Sequence, residues 1–116
     1  MNVKQFYEET NGSYQNALSV MMNDTLIARL LGKFMSNNSF DEIISCYENK
    51  DYRNLFSAVH SFKGVTGNLA LTPLYDLSCK ITELTRNKDD ANIDSEIAEL
   101  KKNYLLVVEK YNQYLK

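Results

Sequence analysis

Apolar residues recur at three- and four-residue steps through most of this chain, and no alternating pattern persists long enough to make a strand. The spacing predicts a short helix around Lys4 to Glu9, a break at Asn11-Gly12-Ser13, and a second short helix from Tyr14 to Met21. Leu26, Ile27, Leu30, Leu31 and Phe34 form the stripe of a third helix, with Asn23 or Asp24 as its cap. Ser36-Asn37-Asn38-Ser39 ends it. Ser39 with Glu42 three residues later resembles a capping box, opening a helix whose core positions are Phe40, Ile43, Ile44 and Tyr47. Asp51 caps the next helix, which should run to about Leu69. Thr72-Pro73 reads as a cap followed by proline at the first helical position, leading into a buried stripe of Leu74, Leu77, Ile81 and Leu84. The polar loop Asn87 to Asn92 precedes a last helix, capped by Asp94 or Ser95. Its inner face carries Ile97, Leu100, Tyr104, Val107, Val108, Tyr111 and Leu115.

Each helix has one apolar stripe and must bury it against the others. Helices joined by short loops pack as antiparallel neighbours. The expected fold is all-α, an antiparallel up-and-down four-helix bundle over residues 23–116. Short additional N-terminal helices in residues 1–22 cover one end, within a single domain of residues 1–116. A chain of 116 residues can bury such a core without metal or disulfide help, which is needed only below about 40 residues.

Composition narrows the partners. A net charge of -2 argues against nucleic acid, whose phosphates call for a basic face. No apolar run approaches the ~18 residues of a membrane span. Met1-Asn2-Val3-Lys4 lacks the apolar stretch of a signal peptide. Cys46 and Cys79 lie in apolar-periodic segments and are expected to be buried and reduced, as in a cytoplasmic protein. A monomer is the default expectation.

His60 is the only histidine. On a helix turning about 100° per residue, Leu55, Val59, Phe62 and Leu69 gather on one face, and His60 falls roughly opposite it. Lys63 and Gly64 lie one turn further on, and Gly67 lies near the same meridian. A lone histidine on a soluble helix is usually just a solvated residue. The glycines change the picture, because each costs about 1 kcal/mol inside a helix relative to alanine. They suggest close approach by another molecule, the alternative being tight packing on a neighbouring helix, especially for Gly67. Lys63 could offset the charge of a phosphoryl group on the ring, or be an ordinary surface lysine. No second histidine or cysteine pair has metal-ligand spacing, so no metal site is expected. No glycine-rich loop follows a strand, so no nucleotide cradle is expected either. The chain carries a nucleophile but no phosphate donor site, and a phosphoryl group would have to come from another protein.

The stretch His60-Ser61-Phe62-Lys63-Gly64-Val65-Thr66-Gly67-Asn68-Leu69 resembles the motif of the histidine-containing phosphotransfer (HPt) domain family. That motif is His-x-x-Lys-Gly, often continuing through a small residue to Gly-Asn-Leu. The resemblance covers roughly residues 24 to 116. It departs from the pattern at Ala70, where many members have a further glycine, and at Thr82, where an acidic residue is common. The resemblance implies a phosphorelay carrier rather than an enzyme. His60 would exchange a phosphoryl group with an aspartate of a response-regulator receiver domain, with Nε2 as nucleophile. Lys63 would offset the phosphoryl charge, and Gly64 would give the receiver's loops access to the ring. The implied partners are that receiver domain, a hybrid histidine kinase, or both. The magnesium ion belongs to the receiver, so the carrier needs no cofactor of its own. The docking surface would include Arg53, Phe56, Ser57, Gly67 and Leu71, with Phe56 either half-buried against an adjacent helix or part of an apolar patch. The alternative function is a helical interaction module that binds or inhibits a receiver or kinase without phosphoryl chemistry.

Overall fold

Seven helices follow one another in the computed structural model, which describes residues 1–116. They are α1 (Val3–Thr10), α2 (Tyr14–Met21), α3 (Asp24–Ser36), α4 (Ser39–Glu48), α5 (Tyr52–Asn68), α6 (Thr72–Thr85) and α7 (Asp94–Tyr114). There are no strands. None of the helices is long and apolar enough to cross a membrane.

Local chemistry explains most of the starts. The side chains of Asn2, Ser13, Asn23 and Asp51 accept hydrogen bonds from the backbone N–H groups of Gln5, Asn16, Leu26 and Asn54. Each satisfies a donor that the first turn leaves without a helical partner, worth ~1 kcal/mol. Three expected caps do not form. Asn38 occupies the cap position of α4 without a side-chain bond, and the Ser39 hydroxyl turns back to the Asn37 side chain at 2.7 Å. Leu71, not Thr72, sits at the cap of α6, so Pro73 falls one residue deeper than expected. Ile93 holds that place in α7, and Asp94 instead accepts the hydroxyl proton of Tyr47 on α4.

The core draws on every helix. Val3, Phe6 and Tyr7 of α1 and Ala17 and Met21 of α2 are buried with it, so the first two helices share the core. The Tyr7 hydroxyl donates to the Leu69 carbonyl at 2.6 Å, and the Ser13 N–H donates to the Ala70 carbonyl at 3.0 Å. Both bonds tie the N-terminal helices to the corner between α5 and α6. Four aromatic rings join α3, α4, α5 and α7. Phe34 and Phe62 lie 5.5 Å apart between centroids, and Phe40 stacks on Tyr104 at 3.9 Å. Lys80 of α6 pairs with Glu96 of α7 at 3.3 Å.

The buried face of α6 differs from the expected stripe. Leu74 and Ile81 are buried as read, but Leu77 is only half-buried and Leu84 is 39% exposed. Ser78, Thr82 and Thr85 are buried instead. Their hydroxyls donate to the carbonyls of Leu74, Ser78 and Ile81 one turn back, at 2.7 to 2.8 Å. Such self-satisfied hydroxyls can enter a core without an orphaned polar atom. They keep the buried face of α6 small.

Candidate functional site

The site is built on α5. Asp51 starts this helix, and Leu55, Val59, Phe62 and Thr66 turn its inner face into the core. One face being buried, the opposite face must meet solvent, and His60, Ser61 and Gly64 are exposed on it. Neither ring nitrogen of His60 has a hydrogen-bond partner within the chain, so both remain open to an outside group.

Phe56 lies one turn before His60. The two rings are nearly parallel, 11° apart, with centroids 6.0 Å apart, an offset stack typical of i,i+4 neighbours. Arg86, where α6 ends, places its guanidinium 5.3 Å from the Phe56 ring centre. Such a cation–π contact contributes about 0.5–1 kcal/mol at an exposed site. The same guanidinium pairs with Glu83 at 2.9 Å. Arg86, and more weakly Lys63, hold the Glu83 carboxyl below the usual carboxylate range. Phe56 is thus half-buried, with an aromatic partner on its own helix and a cation from the next.

Lys63 follows His60 by one turn. It is half-buried and forms no ion pair, and its charge is felt at Glu83. Its stem lines a recess of about 560 Å³ with Gly64, Gly67, Tyr75, Asp76 and Asn16 of α2. His60 does not line that recess but stands beside it on the convex surface.

The two glycines separate cleanly. A Cβ added to Gly64 would meet nothing within 4 Å, so nothing inside the molecule requires glycine there. A Cβ on Gly67 would come within 3.0 Å of the Tyr75 ring. Packing of α6 on α5 therefore accounts for Gly67, although its surface remains exposed.

Of the expected docking residues, Arg53, Ser57 and Gly67 are exposed and Phe56 is half-exposed on this side. Arg53 reaches Asp89 at 3.5 Å, with both side chains almost fully solvated. Leu71 is a correction, being only 1% exposed. After Asn68 the chain reverses through Ala70 in the left-handed region (φ 55), and the Leu71 N–H donates to the Thr66 carbonyl at 2.9 Å. This turn carries the Leu71 side chain into the core. Cys46 and Cys79 are free thiols as expected, but they are half-buried rather than buried. Burial, helped by Asp51 and Glu42, pushes the Cys46 thiol up.

Glu83, Arg86 and Tyr75 belong to the surroundings of the site, and none stands out in the sequence. The Glu83–Arg86 spacing of three was legible as a local pair on a helix. Its place beside Phe56 depends on how α6 lies on α5. No group of three or more metal-ligating side chains converges anywhere in the chain. Comparison of the chain with protein-family models, with curated proteins and with solved structures found no match to any of them.

Proposed function

We propose that this protein is a phosphorelay carrier that uses His60 as its phospho-acceptor. The observation that carries the reading is an exposed imidazole with both nitrogens unbonded, next to a glycine that the fold itself does not need. Small-molecule sites are concave, whereas this ring stands on a convex helix face, which suits a protein partner bringing its own cleft. The donor class is an aspartyl phosphate of a response-regulator receiver domain, free or within a hybrid kinase.

In the transfer, Nε2 of the neutral ring attacks phosphorus, and the bond between phosphorus and the aspartyl oxygen breaks. The electron pair leaves with the carboxylate. The new N–P bond leaves a proton on Nδ1, which can pass to solvent. Lys63, one turn away and without an ion pair, offsets the dianionic charge. Gly64 leaves room for the partner's loops. Magnesium and the acidic pocket belong to the receiver, and the carrier contributes a positioned nucleophile.

The reading includes an antiparallel up-and-down four-helix bundle within residues 23–116. Support comes from α4 meeting α7 through the Phe40–Tyr104 stack and the Tyr47–Asp94 bond, and from α6 meeting α7 through Lys80–Glu96. The packing of α4 on α5 and of α5 on α6 supports it further.

The test is a phosphotransfer assay against a panel of ³²P-labelled receiver domains with magnesium. Wild type should gain an acid-labile, base-stable label from at least one receiver, and His60→Gln should gain none. Label retained by His60→Gln would remove His60 from the role. A protein that binds a receiver equally with and without His60, and never takes label, would be an interaction module instead.

A further inference from the structure

We infer that Arg86 is a positioning residue for His60, acting through the ring of Phe56. An exposed histidine ordinarily hops between rotamers in picoseconds to nanoseconds. Imidazoles that act as nucleophiles or bases are commonly oriented by a hydrogen bond to the second ring nitrogen. His60 has no such bond, and no carboxylate or carbonyl within the chain accepts from either nitrogen. What holds the ring is the Phe56 stack, with planes 11° apart. Phe56 is held in turn by the Arg86 guanidinium at 5.3 Å, and Arg86 by the Glu83 carboxylate at 2.9 Å.

The chain of contacts crosses from α6 to α5. It restrains the plane of the imidazole while leaving both nitrogens unused. That is the requirement for a ring whose nitrogen must be offered to a visiting phosphorus atom. A hydrogen bond from Nδ1 would orient the ring by occupying one nitrogen, whereas the stack occupies none. The guanidinium is suited to this work because it is planar and stays charged at all working pH values.

The kinetic part rests on the phosphocarrier reading, while the orientation part does not. The experiment therefore has two readouts on the full chain. Because His60 is the only histidine, its ring protons form an isolated pair of NMR signals, displaced by the ring current of Phe56. Phosphorylation by potassium phosphoramidate, in which ammonia leaves as the N–P bond to His60 forms, gives a rate without a partner protein.

Arg86→Ala should move the His60 ring signals toward their random-coil positions and slow phosphorylation about two- to fivefold, the scale of an exposed cation–π contact. Phe56→Leu should do both more strongly, and Phe56→Tyr should preserve both. Arg86→Lys should restore part of each loss, keeping a cation without the planar group. Unchanged ring signals in Arg86→Ala would overturn the inference. So would displaced signals with an unchanged rate, since the stack would then be packing alone. If wild type takes no phosphoryl group from phosphoramidate, the carrier reading fails, and the ring signals still decide whether Arg86 orients His60.

Discussion

Two surfaces of this molecule use polar groups in opposite ways. Along the seam between α1 and α7 the charged side chains of Glu9 and Lys110 are both engaged. The Glu9 carboxylate accepts from the Gln5 amide at 2.6 Å, from Lys110 at 2.9 Å and from the Tyr114 hydroxyl. The Asn2 N–H donates to the Tyr114 carbonyl at 3.1 Å. On the outward face of α5, His60 and Lys63 have neither hydrogen bonds nor ion pairs, and Gly64 faces open space. The seam directs its hydrogen bonds to the fold. On the α5 face the side chains of His60 and Lys63 stay unspent, as the proposed partner docking requires. The difference lies in connectivity rather than in residue type, since both surfaces are helical and partly solvated.

The contrast breaks most forcefully on the N-terminal side. Phe6→Ala, in the core beneath α1, should cost about 3–5 kcal/mol in denaturant unfolding. His60→Gln should stay within about 0.5 kcal/mol of wild type. Comparable losses for the two would mean that the α5 face also supports the fold.

Acid should act next, and on the seam. Its three hydrogen-bonding partners, Tyr114 foremost, hold the Glu9 carboxyl at about 2 against an ordinary value of 4.5. A depressed carboxyl stabilises the folded state fully above its unfolded value and loses that contribution as pH falls through the folded one. Wild type should therefore lose stability between about 4.5 and 2 more steeply than Glu9→Gln, measured by denaturation at a series of pH values. Parallel slopes would show that Glu9 does not anchor the seam.

A smaller effect of opposite sign is expected at the α5 face. Gly64→Ala should stabilise the protein by up to about 1 kcal/mol, because alanine is the better helix former and the methyl group meets nothing. The same variant should transfer phosphoryl groups more slowly with a receiver domain. Gly67→Ala should gain less stability, since its methyl group presses on the Tyr75 ring. Equal gains would undo the distinction between a glycine kept for access and one kept for packing. The smallest change belongs to Asp89→Ala. Its pair with Arg53 is almost fully solvated, and unfolding should shift by less than about 0.5 kcal/mol.

Legibility in the sequence followed the range of the interactions. The bounds of α2 and the cap at Asp51 could be read directly, and the cap of α3 was narrowed to Asn23 or Asp24, because a cap and the N–H it accepts from lie within one turn. The caps expected at Ser39, Thr72 and Asp94 failed where another partner competed: the Asn37 side chain, the turn through Ala70, and the Tyr47 hydroxyl across the interface. Leu84 falls outside the buried face of α6 because three hydroxyl residues share that face with Leu74 and Ile81. At the candidate site, the outward direction of His60 follows from the α5 period alone. The stack on Phe56 joins residues four apart, but its Arg86 cap arrives from another helix.

Periodicity and capping, both complete within a few residues, were enough to establish an all-helical chain, the place of each helix and the side of α5 that carries His60. Tertiary packing alone decided that Leu71 turns inward, that Tyr75 claims Gly67 while Gly64 stays unclaimed, and that Arg86 comes to rest beside Phe56. Those outcomes depend on how one helix is seated along another. That seating is a sum over whole interfaces, and no short window of sequence contains it.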